Sequence, residues 1–113
     1  MTAAELIEAQ AAYAGCAPMS EARKPGLGET GLNVYGAQQR LALLGYDVPV
    51  TGTCDEVTFQ AIKDFQKSAG LWAYGVLDYT TAGRLDAAAS AYARGEAVAD
   101  NQLLKAIEIA KTL

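Results

Sequence analysis

The sequence predicts an all-α fold: a small three-helix bundle with an internal repeat, flanked by an N-terminal and a C-terminal helix. Apolar residues recur at helical spacing in several segments, and a glycine or an aspartate stands at most segment ends. A short phrase also occurs twice, in residues 52–58 and 75–81. The shared residues are Gly52, Asp55 and Thr58 in the first copy, and Gly75, Asp78 and Thr81 in the second. A tight turn needs glycine, and an aspartate carboxylate accepts from free N–H groups where a helix begins. Two such loop-to-helix units indicate an internally duplicated helical domain.

Residues 1–31 are expected to form a helix followed by a linker arm. Thr2 and Glu5 have the spacing of a capping box, and the helix is expected to end near Gly15. Its predicted apolar face consists of Leu6, Ile7, Ala9 and Tyr13. The prolines and glycines that follow, including Pro25, predict an irregular arm that leads into the next domain.

Residues 32–95 are expected to form the compact domain. The first of its three helices is predicted at about residues 34–44, the second after Asp55 and the third after Asp78. Glycines follow the three helices: Gly45, Gly70 and Gly95. In the second copy of the repeat Leu77 occupies the position of Cys54, so Cys54 is interpreted as a small core residue.

Residues 96–113 are expected to form a last helix. It would begin after Asp100, and its apolar side would consist of Leu103, Leu104, Ile107 and Ala110.

Composition excludes several classes of function. The formal net charge of −4 argues against binding to nucleic acid or to an anionic membrane surface. No apolar run is long enough for insertion into a membrane. The chain has no histidine, which excludes Ser–His and Cys–His catalytic pairs and histidine-bound zinc. Cys16 and Cys54 are too far apart in sequence for a metal knuckle. We therefore expect no catalytic residue, no metal and no cofactor in this chain.

Aromatic and amide side chains near the turns are the candidate binding residues. The candidate set is Tyr46, Trp72, Tyr74, Gln38, Gln66 and Arg40. Aromatic faces beside amides suit an uncharged ligand rich in hydroxyl and amide groups, such as a glycan or its attached peptide. A structural interpretation stays open beside this one. In it, Gln38 and Gln66 bond loop backbone, and Tyr46 covers the core.

The order of these phrases resembles the peptidoglycan-binding domain found at the ends of many bacterial wall hydrolases. The resemblance covers residues from about 32 to 88. The matching residues are Gln38, Leu41, Leu44, Gly45, Tyr46, Gly52, Thr58, Ala61, Ile62, Phe65, Gln66, Gly70, Leu71, Gly75, Leu77, Thr81 and Leu85. The resemblance implies a three-helix bundle with an internal repeat that binds peptidoglycan through its glycan or its stem peptide. The chain departs from the family pattern at Ala37, Thr51 and Cys54.

A second resemblance concerns the parent protein. Residues 24–26, 31–41 and 100–106 are similar to the module appended to bacterial carboxyl-terminal processing serine peptidases. This implies a wall-targeting module of an exported peptidase whose catalytic residues lie upstream of Met1. The first residues are acidic and do not resemble a signal peptide, so an export signal to the cell envelope would also lie upstream.

A protein-interaction module is the alternative. The acidic composition and the Ala-rich third and fourth helices suit packing against the parent peptidase domain or against a second copy of the chain.

Overall fold

The computed structural model describes residues 2–19 and 25–95 as four helices joined by turns. The helices are α1 (Ala3–Ala14), α2 (Leu32–Leu43), α3 (Glu56–Ser68) and α4 (Tyr79–Ala93). Within these ranges the extended pairing is limited to one isolated bridge between Thr30 and Thr53. The all-α prediction is therefore confirmed. The predicted helix after Asp100 lies outside the described residues.

Side chains cap three of the four helices at the predicted positions. Thr2 and Glu5 form the full capping box of α1. The backbone N–H of Thr58 donates to the Asp55 carboxylate over 2.8 Å at the start of α3. The N–H of Thr81 donates to the Asp78 carboxylate over the same distance at the start of α4. The duplicated phrase is thus a duplicated helix cap.

Helix α2 begins two residues before the predicted start near Val34. Its first residue is Leu32, and the cap position is Gly31, whose φ of 149° only glycine adopts readily. Because glycine has no side chain to accept a hydrogen bond, the sequence carries no cap residue at this end. The start was therefore predicted late.

The predicted apolar face of α1 is only partly buried. Ala9 is buried, whereas Ile7 is 65% exposed. The face is narrower than predicted because α1 packs on α2 and α4 from outside the core. The segment after α1 is fastened to α2 by polar contacts: the Gln39 amide oxygen accepts from the N–H of Ala17 over 2.6 Å.

The hydrophobic core lies between α2, α3 and α4. Its largest fully buried apolar side chains are Phe65, Leu41, Ile62, Leu77, Leu85 and Val34. Cys54 is also fully buried among them, as the sequence predicted. The apolar stripes of the three helices therefore form one core and leave the turns at the surface to carry other functions.

The arm before α2 runs along both turns. The N–H of Gly28 donates to the carbonyl of Cys54, and the N–H of Cys54 donates to the carbonyl of Glu29, each over 2.8 Å. In the second turn, the N–H of Leu77 donates to the carbonyl of Pro25 over 3.0 Å. The arm thus joins the two copies of the repeat. None of the helices in the described part of the chain has the length and apolar character needed to cross a membrane.

Candidate functional site

The amide of Gln38 is fully buried and holds the first turn in place. Its oxygen accepts from the N–H groups of Thr51 and Gly52, each over 2.8 Å. Its nitrogen donates to the hydroxyl of Thr58 over 2.9 Å and to the carbonyl of Thr53 over 3.0 Å. These bonds use both the oxygen and the nitrogen, so Gln38 positions the turn and lies away from any ligand at the surface.

Gln66 makes the same connection in the second turn. Its buried amide oxygen accepts from the N–H of Gly75 over 2.8 Å. Its nitrogen donates to the carbonyl of Val76 over 2.9 Å and to the hydroxyl of Thr81 over 3.0 Å. The repeated unit therefore includes a glutamine on the preceding helix as well as the Gly, Asp and Thr of the phrase. The structural interpretation of both amides fits these contacts.

Arg40 lies in a polar cluster that ties α1 to the bundle. Its Nε donates to the Asp86 carboxylate over 2.9 Å, and its Nη1 donates to the carbonyl of Ala17 over 2.6 Å. The Tyr13 hydroxyl donates to the same Asp86 oxygen over 3.0 Å. Burial and this carboxylate raise the pKa of Tyr13. Arg40 is buried, and its hydrogen bonds join α2 to α4 and to the segment that follows α1.

Trp72 and Tyr74 form an aromatic surface on the second turn. The Trp72 side chain is 85% exposed and that of Tyr74 is 44% exposed. Their ring centres lie 6.4 Å apart, with the planes tilted by 52°. Since folding leaves Trp72 in water, core packing does not explain its presence. Tyr79, at the start of α4, is also exposed.

Asp78 links the aromatic surface to the helix cap. One of its oxygens accepts from the N–H of Thr81, and the other accepts from the hydroxyl of Tyr74. This hydrogen bond raises the pKa of Tyr74 because it stabilises the protonated hydroxyl. The same aspartate therefore starts α4 and fixes the orientation of Tyr74.

Tyr46 is buried at 7% exposure and belongs to the core, but its edge lines a groove beside the first turn. The groove has a volume of about 810 Å³, within the range of small-ligand sites. It is lined by Leu27, Gly45, Tyr46, Asp47, Glu56, Val57, Phe59, Gln60, Ala61 and Asp64. Of the candidate residues, the structure thus brings together Trp72 and Tyr74 on one surface and leaves Tyr46 at a separate groove.

The polar groove residues were not predicted as site residues. Glu56, Gln60 and Asp64 are spaced four residues apart on α3, which places them on one side of the helix. That spacing was readable in the sequence. The sequence alone does not show that this face borders a groove, because the opposing wall, including Asp47, comes from a separate loop.

No group of three or more metal-ligating side chains occurs within residues 2–19 and 25–95. Burial raises the pKa of the Cys54 thiol and of the Cys16 thiol, which disfavours the reactive thiolate in both.

The structure is a small all-α domain with two similar turns. A buried glutamine amide bonds the backbone of each turn, and the second turn carries exposed aromatic side chains. Residues 30–85 match the family described as "Putative peptidoglycan binding domain". This part of the chain belongs to that family, whose domain is a non-catalytic binding domain. No curated protein and no solved structure gives a significant match to the chain. The first resemblance seen in the sequence is thereby confirmed for the domain.

Proposed function

We propose that the chain is a non-catalytic module that holds its parent protein on peptidoglycan, and that the sugars stack on Trp72 and Tyr74. The main support for this proposal is that Trp72 is 85% exposed. It is the only tryptophan of the chain and lies on a turn of a domain from a peptidoglycan-binding family. The apolar face of a sugar ring packs well on an aromatic ring, while the sugar hydroxyls keep contact with water.

The other candidate residues have different roles in this proposal. Gln38 and Gln66 hold the two turns, and Arg40 joins α2 to α4 and to the segment that follows α1. Tyr46 contributes its exposed edge to the groove. In this proposal the unit of function is the domain at residues 32–95, and residues 1–31 and 96–113 are its flanking segments in the sequence.

We further propose that the parent is an exported carboxyl-terminal processing serine peptidase of the cell envelope. Support comes from the sequence resemblance in residues 24–26, 31–41 and 100–106. In this assignment the peptidase domain precedes the module in the sequence of the parent protein. By binding the wall, the module determines where the peptidase acts.

Sedimentation with purified insoluble peptidoglycan tests the proposal. We expect the protein to sediment with the wall, and Trp72→Ala to weaken binding about tenfold or more, as at an aromatic hot spot. Leu32→Ala is the matched control, because Leu32 is a large apolar side chain, 59% exposed, on α2. It should sediment as the wild type does.

Two outcomes would contradict the proposal. If the wild-type protein stays in the supernatant, the proposal that it binds the wall is wrong. If it also forms a concentration-dependent dimer, the interaction-module alternative is favoured, with the exposed Ile7 and Leu32 as natural contacts. If a folded Trp72→Ala variant sediments as fully as the wild type, the aromatic surface is not the binding site.

A further inference from the structure

We propose that residues 100–113, the segment predicted as the last helix, pack on the exposed side of α1, in a groove between α1 and the end of α2. The inference concerns contacts within the chain and is independent of wall binding, because no residue of the second turn lines this groove. It is argued from the exposure of α1, the lining of the groove, the point where the chain leaves α4 and the charges of the two segments.

Helix α1 buries little of its own surface. It has 12 residues, of which Ala9 is the buried one, and Ile7 is 65% exposed. A helix this short is marginally stable in water, so most of its stability must come from packing of its apolar side chains. The outer side of α1 is therefore a surface for a further apolar element to cover.

The α1–α2 groove has a volume of about 490 Å³ and an apolar lining. That lining comes from α1, α2 and the loop after α2, and consists of Ala11, Ala12, Ala42, Leu43 and Val50. Ile7 and Glu8 lie one turn before Ala11 and Ala12, so they extend the same side of α1. Small alanine side chains leave room for larger side chains from the facing element. The groove therefore suits an element that presents leucine and isoleucine.

The chain leaves α4 beside α1, close enough for the next segment to reach this groove. Gly95, just after α4, lies against Leu6, because a Cβ added to the glycine would be 3.4 Å from the leucine Cδ1. Residues 96–99 then lead to Asp100, and five extended steps of the chain span up to about 17 Å. The distance along α1 from Leu6 to Gly15 is about 14 Å. The segment can thus begin at the groove and run back antiparallel to α1.

The sequence of the segment matches the groove in pattern and in length. Its apolar side consists of Leu103, Leu104, Ile107 and Ala110. Lys111 lies one turn after Ile107 and borders the same side. A helix over residues 100–113 would be about 21 Å long, against about 18 Å for α1, so one element can cover the other along its length.

Charge favours this segment over a second copy of the chain. The charged residues of α1 are Glu5 and Glu8, and the helix contains no basic residue. The ion pair in the described part of the chain joins Arg40 to Asp86, so neither glutamate has a basic partner there. Two α1 helices facing each other would bring these carboxylates together, whereas the antiparallel segment places Lys111 near Glu8.

Cross-linking of the full chain with a carbodiimide tests the contact directly. This reagent joins a carboxylate to a lysine amine without a spacer, so it reports only groups in contact. We expect mass spectrometry of the monomer to find a cross-link between Glu8 and Lys111. Lys67, which is exposed on α3, is the matched control and should not cross-link to Glu8.

Hydrogen exchange of the α1 amides measures what the contact does. Glu8→Lys places two lysines together and should speed exchange in α1 about two- to fivefold, since surface charge pairs are weak. Adding Lys111→Glu should restore the wild-type rate. Ile107→Asp, which puts a carboxylate into the apolar groove, should speed exchange about tenfold or more. Asp64→Lys, the same reversal on the exposed face of α3, should leave α1 unchanged.

Unchanged exchange in α3 and cooperative unfolding verify that each variant keeps its core. The inference is overturned if the monomer gives no cross-link between Glu8 and Lys111, or if Ile107→Asp leaves exchange in α1 unchanged. A cross-link found only in a dimer would assign the surface of α1 to a second copy of the chain and would overturn the inference as well.

Discussion

The two turns share one internal framework and differ in what they present to solvent. In each, a buried glutamine bonds the turn glycine and a buried threonine, and an aspartate caps the next helix. The arm pairs with the first turn through several backbone bonds, and that turn borders an acidic groove. The second turn carries the exposed Trp72 and Tyr74.

This difference separates the residues that make the fold from those available for binding. The glutamine and the threonine of the framework are buried and hydrogen-bonded in both copies, so their repetition is explained by folding. The exposed aromatic residues Trp72 and Tyr74 have no counterpart in the first copy of the repeat. The two copies of the repeat thus hold their turns by the same hydrogen bonds but expose different side chains to solvent.

The turn glycines provide the largest expected contrast in stability. Gly75 has a φ of 85°, and a Cβ there would overlap the Phe59 ring. Gly52 has a φ of 86°, but a Cβ there would make only ordinary contacts. Backbone strain and overpacking together should make Gly75→Ala cost about 4 kcal/mol, against about 1–2 kcal/mol for Gly52→Ala. Urea unfolding measures both, and equal losses would contradict the asymmetry.

The buried amides should rank next. Gln38→Leu keeps the volume but removes the Gln38 bonds to two N–H groups, one carbonyl and two threonine hydroxyls. Gln66→Leu affects one N–H group, one carbonyl and one hydroxyl. We expect losses of about 3 and about 2 kcal/mol, because unsatisfied buried groups cost about 1–3 kcal/mol each and part of this is recovered by relaxation. Thermal unfolding checks the order. Neutral substitutions would show that the amides do not hold the turns.

The cap at Asp55 should make stability depend on pH. The hydrogen bond from the Thr58 N–H lowers the pKa of Asp55 from its usual 3.8 in the folded state. The stabilisation is therefore present above about pH 4 and is lost as the pH falls through the lowered value. Asp55→Asn keeps a capping oxygen without the titration, so the wild-type advantage should shrink on acidification. Urea midpoints between pH 2.5 and 7 measure this, and a constant difference would contradict it.

The smallest expected effect concerns Tyr74. Asp78→Asn retains one oxygen for the cap but replaces the acceptor of the Tyr74 hydroxyl with a donor. If that bond orients the ring for sugar stacking, wall binding should fall a few-fold. Asp55→Asn, the equivalent change in the first turn, should leave wall binding unchanged. Equal wall binding by the two variants would show that the hydrogen bond from Tyr74 to Asp78 does not contribute to binding.

The sequence was a good guide wherever the structure depends on local chemistry. The caps at Thr2, Asp55 and Asp78 follow from hydrogen bonds within one helical turn, and the core stripes follow from helical period. The start of α2 was predicted late because Gly31 offers no side-chain cap. The exposure of Ile7 depends on how α1 docks, which involves Arg40 and Asp86 from distant segments.

The candidate site was harder to predict for the same reason. Trp72 and Tyr74 are neighbours in sequence and were identified as a pair. Gln38, Gln66 and Arg40 have side chains typical of ligand contacts, and only tertiary structure shows that their polar atoms bond the protein itself. The groove went unpredicted because its walls come from a loop and from α3.

Fluorescence of Trp72 gives the most direct test of the central claim that the second turn binds the wall. The chain has one tryptophan and it is 85% exposed, so its emission reports on this site alone. Titration with soluble glycan fragments of the wall should shift the emission to shorter wavelength and saturate at the affinity that calorimetry gives. Calorimetric binding of those fragments with no change in Trp72 emission would contradict the account.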